Sequence, residues 1–231
     1  MLSSCAWLAL EARDREPVVD FYRNQLDLPV DRESETETVL DAGEATIRIR
    51  RPNSVPRGGL HTHYAFSIPA GKYDDWWDRL SRFDPVEMEF GGAKSLYLDD
   101  PAGNCVELGQ RDVAAGPGID GVFEIVLEVA DLERATGFYT DLGFEVVDRG
   151  DERRRVRLTT GELDLELWEP QLGIADGRGG VHVDWGLRTD DPDRVIDRVR
   201  ERTRSAETVE KGIRILDPDG HYLTLMEAQP N

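Results

Sequence analysis

The segment Ile125-Val-Leu-Glu-Val-Ala-Asp131, followed by Gly137-Phe-Tyr139, decides the fold of this chain because it occurs twice. The earlier copy is Leu8-Ala-Leu-Glu-Ala-Arg-Asp14, followed by Asp20-Phe-Tyr22. In both copies apolar residues alternate as in a half-buried strand and end in an aspartate. A helical pattern that contains Phe-Tyr then follows. Both copies therefore predict a strand leading into an amphipathic helix.

The spacing of the two copies indicates an internal duplication. Asp14 and Asp131 lie 117 positions apart, and the same offset relates Asp100-Pro-Ala-Gly103 to Asp217-Pro-Asp-Gly220. An offset kept across a whole half of the chain indicates a repeat rather than chance. The Gly- and Pro-containing stretch Val113–Ile119 between the halves has the composition of a linker. We expect one domain over 1–112 and a second over 119–228.

Each half divides again into two similar modules. A strand, a helix and three further strands are predicted four times, so the expected fold class is α+β with four βαβββ modules. The helices are predicted from apolar spacing behind acidic starts, at about 14–28, 72–83, 132–142 and 192–203.

Charge is the strongest compositional feature of the chain. The sequence has 47 acidic residues against 28 basic ones, for a net charge of −19, and only three of the basic residues are lysines. Such a surface repels a phosphate backbone, which argues against a nucleic-acid partner. An acid-rich, lysine-poor composition is typical of halophilic proteins, whose self-repulsion is screened by salt. Ordinary acidic solubility is the alternative explanation.

The remaining composition predicts a globular protein of the cytoplasm. Hydrophobic residues make up 39% of the chain. No apolar run approaches the roughly 20 residues of a membrane helix. The first 14 residues lack a basic region ahead of an apolar one, so no signal peptide is predicted. With only Cys5 and Cys105, the chain has too few thiols for a disulfide scaffold, and both are expected as buried free cysteines.

The module pattern resembles the vicinal oxygen chelate superfamily, which includes glyoxalases, bleomycin-resistance proteins and extradiol dioxygenases. The resemblance rests on Val129-Ala-Asp131, Phe138-Tyr139, Leu142-Gly-Phe144 and the closing motif Asp100-Pro-Ala-Gly-Asn104 with Glu107. Four modules in one chain are similar to the tandem form of catechol 2,3-dioxygenase. The resemblance implies two tandem domains, each with a cupped mixed sheet that holds a metal ion and a substrate.

Strand parity predicts which side chains face these cups, because successive residues of a strand point to opposite faces. If Leu8 and Leu10 pack under the helix, their neighbours face the cup. The cup-facing set is Cys5, Trp7, Ala9, Glu11, Arg48, Arg50, His61, His63, Ala65, Cys105 and Glu107.

The resemblance implies a metal site in the first domain. His63 and Glu107 occupy two positions that hold ligands in the family, whereas Trp7 stands where the first histidine is expected and cannot coordinate a metal. Arg48 occupies the fourth, glyoxalase-type position and could instead pair with Glu107. His61, two residues from His63, is a substitute ligand for iron, manganese or zinc. Hydrogen-bonded histidines without metal are the alternative.

The equivalent positions of the second domain are Glu124, Glu166, Asp184 and Thr224, with His182 nearby. Three carboxylates on one inner face repel each other. Either a hard cation such as Mg²⁺, Mn²⁺ or Ca²⁺ bridges them, or arginines neutralise them. The candidate arginines are Arg155, Arg157 and Arg188.

Tyr97 is the candidate catalytic residue. It lies in Leu96-Tyr97-Leu-Asp-Asp100-Pro-Ala-Gly103, which resembles the extradiol signature, where the tyrosine contacts substrate. The upstream histidine of that signature is absent, since Glu87–Ala93 contains none. Ring cleavage would therefore lack its usual proton carrier.

Two ligand-binding functions remain open from the sequence, beside a third alternative in which the chain is a degenerate domain kept for assembly. One is a divalent-metal enzyme, glyoxalase-like or similar to a ring-cleaving dioxygenase, that acts on a small substrate with adjacent oxygens. The other is a metal-free small-molecule-binding protein of the bleomycin-resistance type, in which Trp7 and Arg48 contact the ligand. In either case the expected partner is a small molecule, neither nucleic acid nor membrane, and the protein is expected as a monomer or homodimer.

Overall fold

The structure of the chain is a computed structural model and is described for residues 1–52, 61–113, 118–150, 154–170 and 183–228. Within these ranges the four predicted modules are present, each with one helix and four strands. No helix among the described residues is long and apolar enough to cross a membrane.

The first half of the chain contains two modules. Module 1 consists of β1 (Leu2–Glu11), α1 (Arg15–Asn24), β2 (Val30–Glu33), β3 (Glu37–Ala42) and β4 (Ala45–Arg50). Module 2 consists of β5 (His61–Pro69), α2 (Tyr73–Leu80), β6 (Val86–Phe90), β7 (Ala93–Asp99) and β8 (Cys105–Arg111).

The second half repeats this order. Module 3 consists of β9 (Val122–Glu128), α3 (Leu132–Leu142), β10 (Glu145–Arg149), β11 (Arg155–Thr159) and β12 (Asp164–Trp168). Module 4 consists of β13 (Val183–Thr189), α4 (Pro192–Asp197), β14 (Ser205–Val209), β15 (Gly212–Leu216) and β16 (Tyr222–Glu227).

The strands form two eight-stranded mixed sheets, and each sheet combines one module from each half of the chain. The terminal sheet joins modules 1 and 4 in the order β14-β15-β16-β13-β1-β4-β3-β2. The central sheet joins modules 2 and 3 in the order β10-β11-β12-β9-β5-β8-β7-β6. Four βαβββ modules and two curled mixed sheets confirm the expected fold class. The sequence-based expectation placed one cup in residues 1–112 and the other in residues 119–228. In the structure, each cup instead contains one module from each of these ranges.

The two halves meet at the middle of both sheets. β1 pairs antiparallel with β13, with Leu8 opposite Trp185. β5 pairs antiparallel with β9, with Tyr64 opposite Ile125. Within a module, the first and last strands are parallel, as a crossover through a helix requires. Residues from the first strands of two different modules therefore face each other in the centre of each cup.

The predicted helix starts are found, with one local difference. The Asp131 side chain accepts a hydrogen bond of 2.9 Å from the backbone N–H of Arg134, and Asp191 caps α4 through Arg194 in the same way. Asp14 precedes α1 but makes no capping hydrogen bond. α1 and α4 end earlier than the apolar spacing predicts, at Asn24 and Asp197.

One continuous apolar core lies on the helix-covered faces of both sheets. Leu8 and Leu10 are buried there, as strand parity predicts. The parity prediction is wrong for Cys5, which belongs to this core. The register between β1 and β13 shifts between Cys5 and Trp7, and such a bulge turns a side chain to the other face.

Candidate functional site

Three buried ionisable side chains meet on the concave face of the central sheet, which we call the central cup. Nε2 of His63 lies 3.2 Å from Oε2 of Glu107 and 3.6 Å from Oε2 of Glu124. One donor atom from each residue lies within 4.8 Å of the others. The central cup therefore holds one imidazole and two carboxylates at the separation of ligands around a single ion.

Strand register explains why these residues meet. Glu107 on β8 lies beside Ala65, two residues beyond His63 on β5, and therefore on the same face. Across the seam between the halves, Ala65 lies opposite Glu124 on β9. The site thus takes two residues from module 2 and one from module 3, and it forms only because these modules share a sheet.

The charges of the cluster stabilise one another. Burial would lower the pKa of His63, but its contacts with Glu107 and Glu124 outweigh burial and raise the pKa to about 9. Burial would raise the pKa of Glu107, yet the polar neighbours His63, Ser95 and Tyr97 hold that pKa below its usual value. Without a metal ion, the cluster therefore favours a protonated histidine between two carboxylates.

Two arginines of β11 balance the remaining carboxylates of the cup. Nη2 of Arg157 lies 2.7 Å from Oε1 of Glu124, which leaves the other oxygen directed toward His63. Arg155 lies 3.2 Å from Oε1 of Glu166. The second oxygen of Glu166 accepts a hydrogen bond of 2.7 Å from the Trp168 indole. Burial and the nearby charge of Glu124 raise the pKa of Glu166. Both of its oxygens thus have partners, so Glu166 stands outside the three-residue cluster.

Aromatic side chains surround the histidine. The Tyr97 ring lies edge-on to His63 at 5.5 Å between centroids, and the Trp168 ring does so at 6.3 Å. Phe123 also lies beside the cup, against Gly109 and Ser95. Sequence parity missed Phe123 because β9 has a register shift next to Glu124, and alternation alone gives no signal of a bulge.

The residues of the central cup fit a divalent cation. One imidazole nitrogen and two carboxylate oxygens suit iron, manganese or zinc. Oε2 of Glu107 is fully buried and accepts no hydrogen bond of normal geometry from the described residues. It faces Nε2 of His63 at 3.2 Å, and a coordinated cation would be bound by both of these buried atoms.

The other predicted site residues lie elsewhere. Trp7, Arg48 and Asp184 belong to the terminal sheet, so Arg48 does not pair with Glu107, and Asp184 does not share a face with Glu124. The reason is that each half of the chain contributes to both sheets. The side chain of His61 and all of His182 lie outside the described residues.

The concave face of the terminal sheet, which we call the terminal cup, has different chemistry. The guanidinium carbon of Arg48 lies 4.0 Å from the centre of the Trp7 ring. Nη1 of Arg50 lies 3.1 Å from Oδ2 of Asp184. Arg188, expected beside a carboxylate, donates instead to Oγ of Ser4 and to the Cys5 carbonyl. Among the residues that the structure describes, this cup thus carries arginine pairs in place of a ligand cluster.

Comparisons with known proteins agree with this architecture. Residues 121–225 match the sequence model of the Glyoxalase/Bleomycin resistance protein/Dioxygenase superfamily. A catechol-2,3-dioxygenase of Bacillus subtilis (strain 168) is 24% identical in an alignment of 270 positions that covers 94% of this chain and 95% of that protein. The metallothiol transferase FosB of Staphylococcus haemolyticus is 26% identical over 98 residues, which cover 39% of this chain and 70% of that protein.

A solved structure shows the same fold over nearly the full length. Glyoxalase I from Zea mays superposes with a TM-score of 0.71 at 16% identity, covering 97% of this chain and 92% of that one. The family model matched by residues 121–225, the repeat at 117 residues and the paired curled sheets make this chain similar to tandem, two-domain proteins of the glyoxalase/bleomycin resistance/dioxygenase superfamily.

Proposed function

We propose that this protein is a divalent-metal-dependent enzyme that acts on a small substrate with two adjacent oxygens, with its metal in the central cup. The observation that carries the proposal is the cluster of His63, Glu107 and Glu124, whose donor atoms lie within 4.8 Å of one another. The similarity to proteins of the glyoxalase/bleomycin resistance/dioxygenase superfamily supports the same class of chemistry. Relative to the sequence-based ligand set of His63, Glu107 and His61, the proposal adds Glu124; the side chain of His61 lies outside the described residues.

The chain supplies a shaped set of ligands and their supports. His63, Glu107 and Glu124 would hold the ion, and Arg157 fixes Glu124 with one oxygen directed inward. The bound ion would act as a Lewis acid toward the adjacent oxygens of a chelating substrate. Arg157 also offsets part of the negative charge that two carboxylate ligands bring.

Tyr97 is placed to contact such a substrate. Its ring lies against His63. Burial and the charge of Glu107 raise its pKa well above the usual range, so its hydroxyl stays protonated. We assign its hydroxyl the role of a hydrogen-bond donor, to Glu107 in the free protein and to a substrate oxygen in the complex, and not that of a base.

The alternative is a metal-free small-molecule binder, and one observation favours it. With His63 protonated and Arg157 at 2.7 Å from Glu124, the charges of the cluster are already compensated without an ion. Metal content decides between the two functions, because only the enzyme requires an ion at this position.

The test is metal analysis of untagged protein purified in high salt without chelators. We expect near-stoichiometric iron, manganese or zinc that is lost in the His63→Ala and Glu124→Ala variants. The matched control is Asp184→Ala, which removes a buried acid from the terminal cup and should leave the metal in place. Loaded protein is then assayed with catechols and 2-oxoaldehydes. Absence of metal after reconstitution, or equal metal in the His63 variant, refutes the proposal.

A further inference from the structure

We propose that the terminal cup is a second, metal-independent ligand site that binds a small oxyanion, a carboxylate or a phosphate, through the guanidinium of Arg48. It is separate from the central cup, since Arg48 lies on β4 of the terminal sheet. The proposal does not depend on the enzyme function proposed above.

The terminal cup lacks the ligands of the central cup. The register of β5 with β8 matches that of β13 with β16, which makes Asp184 and Thr224 the counterparts of His63 and Glu107. The counterparts of Glu124 and Glu166 are Trp7 and Arg48. At these four positions the terminal cup has one carboxylate, Asp184, where the central cup has three. Asp184 is paired with Arg50. Within the described ranges, a cation would therefore find no ligand cluster here.

Trp7 serves as a support for Arg48, which changes its expected role as a stacking surface for a ligand. One part of its ring packs on the backbone at Gly186, where an added Cβ would stand 2.4 Å from ring carbon Cε3. The guanidinium of Arg48 stacks on the ring at 4.0 Å. The indole is 5% exposed and so is unavailable to a ligand. Stacking leaves the in-plane donors of a guanidinium available.

These donors are unused among the described residues. No carboxylate there lies within 4.0 Å of the Arg48 guanidinium, and its buried Nε has no hydrogen-bond partner. The two acids whose charges act on Arg48 are Glu37 and Asp184. Each is engaged by another arginine, Glu37 by Arg32 at 3.2 Å and Asp184 by Arg50 at 3.1 Å. Each of these acids thus has another arginine as its partner, and Arg48 has no carboxylate partner of its own among the described residues.

The chemistry of a guanidinium identifies the ligand class. A planar fork of N–H donors matches the two oxygens of a carboxylate or phosphate. Burial lowers the pKa of Arg48, so its charge is incompletely solvated in the free protein. An oxyanion would supply both the missing hydrogen bonds and the missing counter-charge. Arg48 is half-buried and hence accessible from the open side of the cup.

Two tryptophans allow both cups to be followed in one experiment. Trp7 supports Arg48 in the terminal cup, and the Trp168 indole N–H bonds Glu166 in the central cup. In ¹H–¹⁵N spectra each tryptophan gives one indole signal, and Trp7→Phe assigns the first. We titrate metal-free protein with inorganic phosphate and with acetate, and use potassium chloride at matched ionic strength to correct for screening.

We expect the Trp7 signal to shift and saturate with phosphate or acetate, while the Trp168 signal stays fixed. Saturation with acetate alone identifies a carboxylate ligand, and saturation with phosphate alone identifies a phosphate ligand. Arg48→Met keeps the apolar contact with the indole but removes the donors, and should weaken binding by about tenfold or more. Arg48→Lys keeps the positive charge but lacks the planar set of N–H donors. Its anion affinity should lie between those of wild type and Arg48→Met.

The control variant is Arg200→Gln, which removes an exposed arginine that pairs with Asp197 at the end of α4 and should leave anion binding unchanged. Unshifted signals of the other tryptophans verify that each variant is folded. The proposal is overturned if the Trp7 shift equals that with chloride, or if Arg48→Met saturates at the same concentration. It is also overturned if the Trp168 signal responds in place of Trp7. Metal loading of the central cup has no bearing on these outcomes.

Discussion

The hydroxyl of Tyr139 donates a hydrogen bond of 2.8 Å to Oδ2 of Asp217, and both residues are buried. The earlier copy of the repeat has the same contact, 3.0 Å from Tyr22 to Asp100. Each tyrosine lies on a helix of one module, and each aspartate lies in the turn before the last strand of a module in the other sheet. The Phe-Tyr and Asp-Pro-x-Gly motifs are thus two ends of one structural link between the sheets.

Loss of this link should destabilise the protein. In Tyr139→Phe, the buried Asp217 loses a hydrogen bond, and we expect a decrease of about 1–3 kcal/mol in the free energy of unfolding. Urea denaturation measures the change. The control is Tyr73→Phe, whose hydroxyl contacts Glu87 at the protein surface and should cost less. Equal costs for both variants would contradict a bridging role.

Gly186 should tolerate no larger side chain. A Cβ there would stand within 2.4–2.6 Å of three Trp7 ring carbons, so Gly186→Ala must displace the indole or the strand. We expect a loss of about 1–3 kcal/mol, as for other overpacked sites. Gly71→Ala, where a Cβ has no neighbour within 4 Å, is the matched control in thermal denaturation. Trp7→Phe replaces the indole by a smaller ring that leaves more space beside residue 186. It should therefore restore part of the stability that Gly186→Ala loses.

Metal affinity should increase with pH. The pKa of His63 in the metal-free protein is about 9, so below pH 9 an entering ion must displace a proton. Apparent affinity should therefore rise about tenfold per pH unit between pH 6 and pH 8. Competition with a chromophoric chelator measures this slope. An affinity independent of pH would show that His63 does not coordinate the ion as the neutral imidazole.

The same histidine should influence the stability of the metal-free protein. Its pKa is raised by folding from 6.5 to about 9, so its contribution is fully present below pH 6.5 and is lost as pH rises through 9. In chelator, the melting temperature of wild type minus that of His63→Gln should decrease from pH 6.5 to pH 9. A constant difference across this range would exclude the charged cluster of His63 with Glu107 and Glu124.

Cys5 should be unreactive in the folded protein. Burial raises the pKa of its thiol to about 12, so almost none is thiolate at pH 8. Thiol titration of Cys105→Ser with a disulfide reagent should show no reaction until denaturant is added. Rapid labelling of native Cys105→Ser would mean that β1 opens readily from the terminal sheet.

Salt should stabilise the folded chain. The net charge of −19 opposes compaction. In molar salt the Debye length falls to about 3 Å, which removes most of that repulsion. We expect the melting temperature to rise steadily from dilute buffer to molar potassium chloride. A melting temperature that is unchanged in dilute buffer would instead indicate ordinary acidic solubility.

Sequence patterns predicted the modules but left their pairing undetermined. The offset between Asp14 and Asp131 establishes that the halves are equivalent, yet modules can pair within a half or across halves without altering that offset. The resemblance identified His63 and Glu107, and parity placed both in a cup. It could not bring Glu124 beside them, because that contact depends on the seam between β5 and β9.

Local irregularities explain the remaining differences from the sequence-based prediction. Cys5 and Phe123 both lie next to a register shift in the first strand of a module. Alternation assigns faces only along an uninterrupted strand, so a single bulge reverses every residue on its far side. The sequence left two alternatives for Glu124, a bridging cation or a neutralising arginine. It could not decide for Arg157, because the sequence does not fix the direction in which a long arginine side chain points.

The pairing of module 1 with module 4, and of module 2 with module 3, has an evolutionary consequence. A symmetric dimer of one ancestral half would carry two identical active sites, and any substitution would alter both. Once two halves are fused, each of the four modules is encoded separately. A substitution in one module then changes only the cup to which that module belongs. The central cup can then carry the cluster of His63, Glu107 and Glu124 while the terminal cup carries Trp7 and Arg48, so that fusion allows the two cups to diverge independently.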